Sequence, residues 1–278
     1  MKKVALCVIS KKEDIYLMDF IEYYKKIGFC SIIFGDNNDF GDSSQRLVIE
    51  PYIKEGFIKY ENIQSRPLWQ CRFYEDMYNK YKAEFDYIAF YDVDEYVCFA
   101  DSNIKTISEL LERPEFAKAD YIELNWQYMT DNNKLYYENK PVMERFVEYK
   151  DGCFANTTVK SMIKCKRDSN IKWIGNPHVC RYNTGKGIAI DGNGQEINTD
   201  SPFLNPPAYE IAYIKHFWSL STEEYVKRRY KRTSSISNAF YGKKDWIKKE
   251  YFGTNEYTEE KERVFEEFCN QIDKEIKK

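Results

Sequence analysis

Short apolar runs alternate with amphipathic stretches along this chain from its first residues. Val4 to Ile9 is continuously apolar, reads as a strand buried on both faces, and ends in Ser10-Lys11-Lys12-Glu13-Asp14. A stripe of Leu17, Phe20, Ile21, Tyr24 and Ile27 then predicts a helix, closed by Gly28 as its C′ residue. Ser31 to Phe34 is the next strand and runs into Gly35-Asp36-Asn37-Asn38-Asp39. Strand, helix, strand, with a polar cluster after each strand, predicts a βαβ unit whose loops open on one edge. Phe57 to Ile63 predicts a third strand. Arg66-Pro67-Leu68-Trp69-Gln70 starts a helix carrying Arg72, Tyr74 and Met77, and Tyr87 to Tyr91 is a strand buried on both faces.

Further on, Ile107 to Leu111 reads as helix, Asp120 to Trp126 as strand, Pro141 as the opening of a helix that includes Glu144, and Thr157 to Cys165 as strand. Ile174 to Pro207 is rich in Gly, Asn and Pro and predicts a long loop or lid with little regular structure. Ile211 to Phe217 is a last strand, after which Ser221-Thr222-Glu223-Glu224 forms a capping box. Lys227, Arg228, Lys231 and Arg232 cluster on one side of the helix it begins, and the carboxyl-terminal stretch reads as one surface helix. The expected division is a main domain over 1–232 and a helical extension over 233–278 packed on it.

The candidate chemistry gathers where the strand Tyr87–Tyr91 meets Asp92-Val93-Asp94-Glu95 without a spacer. Residues two apart on an extended backbone point the same way, so Asp92 and Asp94 would converge while Val93 packs inward. Adjacent carboxylates repel, and hard Mg2+ or Mn2+ relieves this while leaving coordination positions for waters and phosphates. A metal–diphosphate site at the carboxyl end of a central strand is therefore expected, with a solvated turn as the alternative. Glu13, Asp36 and Asn38, after the first two strands, are candidates to hydrogen-bond a base and a ribose; capping and turn formation would explain them equally. Arg66, Gln70 and Arg72 just upstream could meet a diphosphate or a sugar, and Lys227 could be part of a phosphate clamp; surface solvation is the alternative for each.

Composition narrows the classes. A length of 278 residues allows one large α/β domain or two small ones. A net charge of −3 with 31 % charged residues provides no field that argues for nucleic acid. Aromatics reach 17 %, enough to line a sugar site as well as a core. Eight cysteines with no Cys-x-x-Cys pair, beside two histidines, fit neither a zinc site nor a disulfide framework and suit reduced thiols in a cytosol. No signal peptide and no apolar run of about 18 residues is visible, so an intracellular, cytoplasmic protein is expected. The basic helix near 227–232 adds the option of a peripheral contact with an anionic membrane face.

The chain resembles the GT-A glycosyltransferases, specifically family 2 and family 92-related bacterial enzymes. Phe20-Ile-Glu-Tyr-Tyr-Lys-Lys-Ile-Gly-Phe29 is similar to their "W-x-E-Y-H-x-x-x-G", with Tyr24 where that motif has histidine. Ile33-Phe34-Gly35-Asp36-Asn37-Asn38 is similar to "Y-D-N-N-S", Asp92-Val93-Asp94-Glu95-Tyr96 to "D-V-D-E-F", and His216-Phe217 through Tyr225-Lys227 to "H-Y-x-x-K-S-x-E-E-F-x-x-K". The resemblance implies an α/β fold with a mixed, mostly parallel sheet flanked by helices. It also implies metal-dependent, inverting transfer of a sugar from a nucleotide-diphosphate donor, a UDP-sugar, to a hydroxyl of a glycan or lipid-linked acceptor in polysaccharide biosynthesis. In that reading Asp94 ligates Mn2+ or Mg2+, Asp92 holds the ribose or a metal-bound water, and His216 completes the metal shell. Glu144 is the base, with Asp151 in reserve. Two rival classes stay open: a carbohydrate- or metal-binding module without turnover, and a sugar-1-phosphate nucleotidyltransferase, although Ser10-Lys11-Lys12-Glu13 lacks the glycines of the latter's loop.

Overall fold

The structure, a computed structural model, describes residues 1–174, 177–230 and 243–276. Two compact units emerge: Met1–Gln127 with Cys153–Lys215, and Tyr128–Gly152 with His216–Lys278.

The first unit opens with β1 (Val4–Ser10), α1 (Asp14–Lys26) and β2 (Ser31–Asp36), as the apolar periodicity requires. All of β1 and β2 is buried, and Tyr16, Leu17, Phe20, Ile21 and Tyr24 form the inner face of α1. Gly28 follows α1 at φ +90°, a conformation its missing Cβ permits. Next come α2 (Ser44–Glu55), β3 (Ile58–Asn62), α3 (Gln70–Tyr81), β4 (Tyr87–Phe90), β5 (Glu95–Phe99), α4 (Ile107–Glu112), α5 (Pro114–Ala117) and β6 (Tyr121–Tyr128). The remaining strands are β7 (Val159–Lys164), β8 (Ile171–Trp173), β9 (Cys180–Tyr182), β10 (Ala189–Asp191), β11 (Glu196–Ile197) and β12 (Ala212–His216).

The main sheet runs β11-β10-β6-β7-β4-β1-β2-β3, with β12 pairing β5 and β6. β3, β2, β1 and β4 are mutually parallel; β7 lies antiparallel between β4 and β6. This is the mixed, mostly parallel sheet flanked by helices that the resemblance implies. The strand order reverses direction after β3, so right-handed crossovers put α1 and α2 on one face and α3 on the other. Phe73, Tyr74, Met77 and Tyr78 of α3 pack on Ala5, Cys7, Ile33, Ile88 and Phe90 of the strands.

The structure adds one element and corrects two expectations. The segment between β2 and β3 holds a full helix, α2, whose signal was weak because Gln45 and Ile49 are its only buried residues and Pro51 lies inside it. Helix α3 begins at Gln70; Arg66–Trp69 precede it in a turn where Leu68 has φ +55°. The stretch 174–207 is not structureless. It carries β9, β10 and β11, because β10 pairs β6 in parallel and β9 pairs β8, partners that no local pattern announces.

The second unit contains α6 (Val142–Arg145), α7 (Thr222–Arg229), α8 (Lys244–Thr254) and α9 (Glu259–Ile276). The compact units do not divide at residue 232. Tyr225 and Val226 of α7 share a core with Tyr251, Phe265 and Cys269, which draws α7 to the carboxyl-terminal helices. Those are two helices, not one: Asn255 turns the chain, its side chain donating to Tyr251 O at 3.1 Å and to Ser219 Oγ at 3.0 Å. The capping box is present, with Ser221 and Glu224 bonding reciprocally, and Glu224 also accepts both arms of the Arg145 guanidinium at 2.8 and 3.0 Å in a buried fork.

Candidate active site

Beyond Phe90 the chain leaves the sheet and turns back at once. The Glu95 amide donates to Asp92 O at 3.0 Å, and the Asp92 amide donates to Glu95 Oε2 at 2.9 Å. Asp92 and Asp94 therefore sit on a tight turn and not on the extended segment from which their common direction was expected. The cause is Glu95, whose side chain folds back to satisfy the amide released at the strand end. Burial pushes the Glu95 carboxyl up; Lys160 pulls it back down, while the neighbouring charges of Asp92 and Asp94 add to the rise. Both aspartates thus act by their charge on one buried carboxyl. Tyr24, which stands where the family motif has histidine, donates its hydroxyl to Glu95 O at 2.7 Å and braces the turn from α1.

Asp92 is held from two further elements. From α3, Gln70 Nε2 donates to Oδ1 at 2.8 Å and the Tyr74 hydroxyl approaches the same oxygen at 3.4 Å. From β7, Lys160 Nζ donates to Oδ2 at 2.9 Å and stands 3.4 Å from Glu95 Oε1. The Lys160 side chain is 0 % exposed while that of Asp92 is 33 % exposed, so the aspartate has one side in the protein and one toward solvent. Burial alone would depress the ammonium pKa; the charges of Asp92 and Glu95 outweigh it and raise it. Sequence reading named Gln70 but missed Lys160 and Tyr74. The available signal was the oddity of a lysine inside the largely apolar strand Val159–Ile163, where Ser161 is the other polar residue. Its register, two residues beyond the Ala89↔Met162 pair, carries it to the end of β4.

The other predicted contacts are placed as follows. Asp36 is fully buried at the end of β2, accepting from Gln45 Nε2 at 2.9 Å, the Asn38 amide at 3.1 Å and the Tyr60 hydroxyl at 2.9 Å. Asn38 Oδ1 accepts from the Lys12 amide at 2.7 Å and its Nδ2 donates to Ser44 Oγ, which ties the loop after β1 to that after β2. Glu13 is buried at the start of α1 and its amide donates to Gln45 Oε1 at 3.3 Å. These three brace the loops at the carboxyl edge. Arg66 stacks 4.8 Å over the Trp69 ring, and Arg72 pairs with Asp76 at 3.0 Å on the exposed side of α3.

In the second unit, Lys227 pairs with Glu223 at 2.6 Å and lies 5.0 Å over the Phe268 ring, and Arg228 is buried. Lys231 and Arg232, the other half of the expected basic cluster, lie outside the described residues. His216 is buried, its ring 5.6 Å from Tyr128 and 5.7 Å from Trp218. Glu144 is exposed on the short α6, and Asp151 accepts from the Gly152 amide in an exposed turn.

Among the described residues no group of three or more His, Cys, Asp or Glu side chains is placed to hold a metal ion by itself. The acidic turn nevertheless suits a hard cation that substrate phosphates complete. Its donors are carboxylate oxygens, and Asp92 Oδ2 carries one hydrogen bond, from Lys160, which leaves it a further lone pair. Among the described residues no helix is long and apolar enough to cross a membrane.

The profile of glycosyltransferase family 92 matches residues 2–278. No curated protein matches the chain. Among solved structures, S. aureus TarS residues 1–349 in complex with UDP-GlcNAc is 11 % identical with a TM-score of 0.43, covering 96 % of this chain and 72 % of that one. The mannosyltransferase PcManGT from Pyrobaculum calidifontis, in complex with GDP-Man and Mn2+, is 7 % identical with a TM-score of 0.33, covering 44 % and 35 %. Against a longer S. aureus TarS chain, at 11 % identity and a TM-score of 0.37, the match spans 28 % of that chain's length.

Proposed function

The chain belongs to glycosyltransferase family 92, and on that footing we propose that it moves a glycosyl group from a nucleotide-diphosphate sugar, a UDP-sugar, to a hydroxyl of a glycan or lipid-linked acceptor, with inversion. The observation that carries the reading is the acidic turn Asp92–Glu95 at the carboxyl end of β4, braced by Tyr24, Gln70 and Lys160 and partly open to solvent. Open α/β sheets bind ligands at that edge.

Asp94 and Asp92 are the proposed holders of Mn2+ or Mg2+, with the remaining coordination positions left to waters and the donor's phosphates. When bound, the ion neutralises charge on the departing diphosphate. The protein's own contribution is to fix the orientation of Asp92, so that no reorganisation is needed as charge develops. Glu144 is the proposed base that takes the acceptor hydroxyl's proton, with Asp151 in reserve. Glu13, Asp36 and Asn38 support the donor side by holding the loops after β1 and β2, and Arg66, Arg72 and Lys227 are proposed as diphosphate contacts. A cytoplasmic site of action with peripheral membrane contact completes the proposal.

A panel of nucleotide sugars with Mn2+, assayed for donor hydrolysis and transfer beside Asp94→Asn, tests it. At least a hundredfold loss in Asp94→Asn on a donor the native protein turns over is expected. No turnover of any donor by the native protein, or an undiminished Asp94→Asn protein, overturns the reading.

A further inference from the structure

Lys160 stands out among the charged groups of the first unit. Its side chain has no solvent exposure, yet its ammonium reaches two carboxylates of the acidic turn, Asp92 Oδ2 at 2.9 Å and Glu95 Oε1 at 3.4 Å. An ammonium withdrawn this far from water persists only where anions face it, and the chain places it with both. The oxygen it engages on Asp92 is the one that Gln70 and Tyr74 leave open, since both of those approach Oδ1.

We propose that Lys160 is a built-in counter-cation of the acidic turn: it fixes the Asp92 carboxylate in the donor-free protein and competes with a divalent ion for Oδ2. The inference rests on the reading of Asp92–Glu95 as the donor turn. Lys160 is a positioning residue, acting on the donor through Asp92. Two consequences separate this from a merely structural role. Removing the ammonium strengthens the turn's hold on a divalent ion, because a fixed positive charge within hydrogen-bond reach of the same oxygen is gone. The same change slows turnover, because Asp92 loses one of the donors that fix its rotamer.

Lys160→Met alone leaves buried Glu95 beside Asp92 with no cation, so the comparison is Lys160→Met with Glu95→Gln against Glu95→Gln alone, two proteins that differ only at the ammonium. Methionine approximates the lysine stem, and glutamine keeps an oxygen for the Asp92 amide. Calorimetric titration of the donor-free protein with Mn2+ is the primary measurement. The double variant should bind Mn2+ at least fivefold more tightly than Glu95→Gln, or bind it where Glu95→Gln does not. Its kcat on the donor should fall about tenfold or more, with KM for the donor changed by less than about threefold. Where the methionine variant melts far below the native protein, Lys160→Gln with Glu95→Gln is used: it can still donate to Asp92 without charge, and the same tightening is expected. Mn2+ binding in a folded double variant that is unchanged or weaker relative to Glu95→Gln overturns the proposal, as does an absence of Mn2+ binding in both proteins. Failure of the transferase reading is a separate result, an absence of turnover in the native protein, and the Mn2+ comparison does not depend on it.

Discussion

Single side chains around the turn divide into those that hold it and those that hold its holders. Asp92 is both a ligand candidate and the partner of a buried ammonium, so Asp92→Asn removes a charge that Lys160 needs. The loss, discounted for an aspartate one-third exposed, is on the order of 1–3 kcal/mol of stability. A denaturant melt of Asp92→Asn that overlays the native curve would show that Glu95 alone satisfies the lysine. His178 illustrates the other class. Burial holds its imidazole down to about 3, with the nearby Lys160 charge acting the same way and the bond to Val159 O, 3.2 Å from Nδ1, acting against it. The unfolded chain takes up a proton at this residue below about 6.5 and the folded protein does not, so stability is intact above that pH and falls as the pH drops toward 3. Roughly 2 kcal/mol should be lost from this group alone by pH 5. His178→Asn should flatten the acid limb of a stability–pH curve measured by urea denaturation; an equally steep limb would mean the imidazole is protonated in the fold.

At the scale of elements, the position of Asp92 depends on how closely α3 lies on β2. A Cβ at Gly35 would sit 2.6 Å from Phe73 Cζ, so the glycine is what lets the helix approach the strand. Helix α3 also carries Gln70 and Tyr74, the two groups on Asp92 Oδ1. Gly35→Val should therefore cost about 1–3 kcal/mol by overpacking and lower turnover as well. Gly56 is the control: it closes α2 at φ +84° with nothing near its would-be Cβ, so Gly56→Ala should cost about 1 kcal/mol and leave turnover alone. Equal effects of the two on kcat would break the link from helix packing to the turn. The elements with strong local signals were legible in the sequence: β1, β2, β4, β6 and β12 as runs of mostly apolar residues, α1 as an apolar stripe, and the capping box of α7 because its residues are neighbours in the chain. Helix α2 and the strands β9 to β11 were not, since a proline and a nearly polar face disguise the first and distant partners create the others.

Over the whole molecule, local patterns located the acidic turn but not what surrounds it. Asp92 and Lys160 are 68 residues apart, and they meet only because β7 enters antiparallel between β4 and β6. Periodicity along one strand carries no information about its neighbour, so the lysine could be seen as odd but not assigned. The units themselves are assembled from separated stretches, which a reading along the chain divides at a single point. The chain's response to donor and metal together tests the site as a whole. A ligand that binds only the folded state at about 100 times its Kd adds about 2.7 kcal/mol of stability, which for a domain of this size moves a melting transition by roughly 5–10 °C. A nucleotide sugar with Mn2+ should produce such a shift in the native protein. Chelation of the metal, or Asp94→Asn, should remove most of it, because diphosphate charge then faces the carboxylates of the turn unscreened. A shift of full size that survives both treatments would place the nucleotide elsewhere than at Asp92–Glu95.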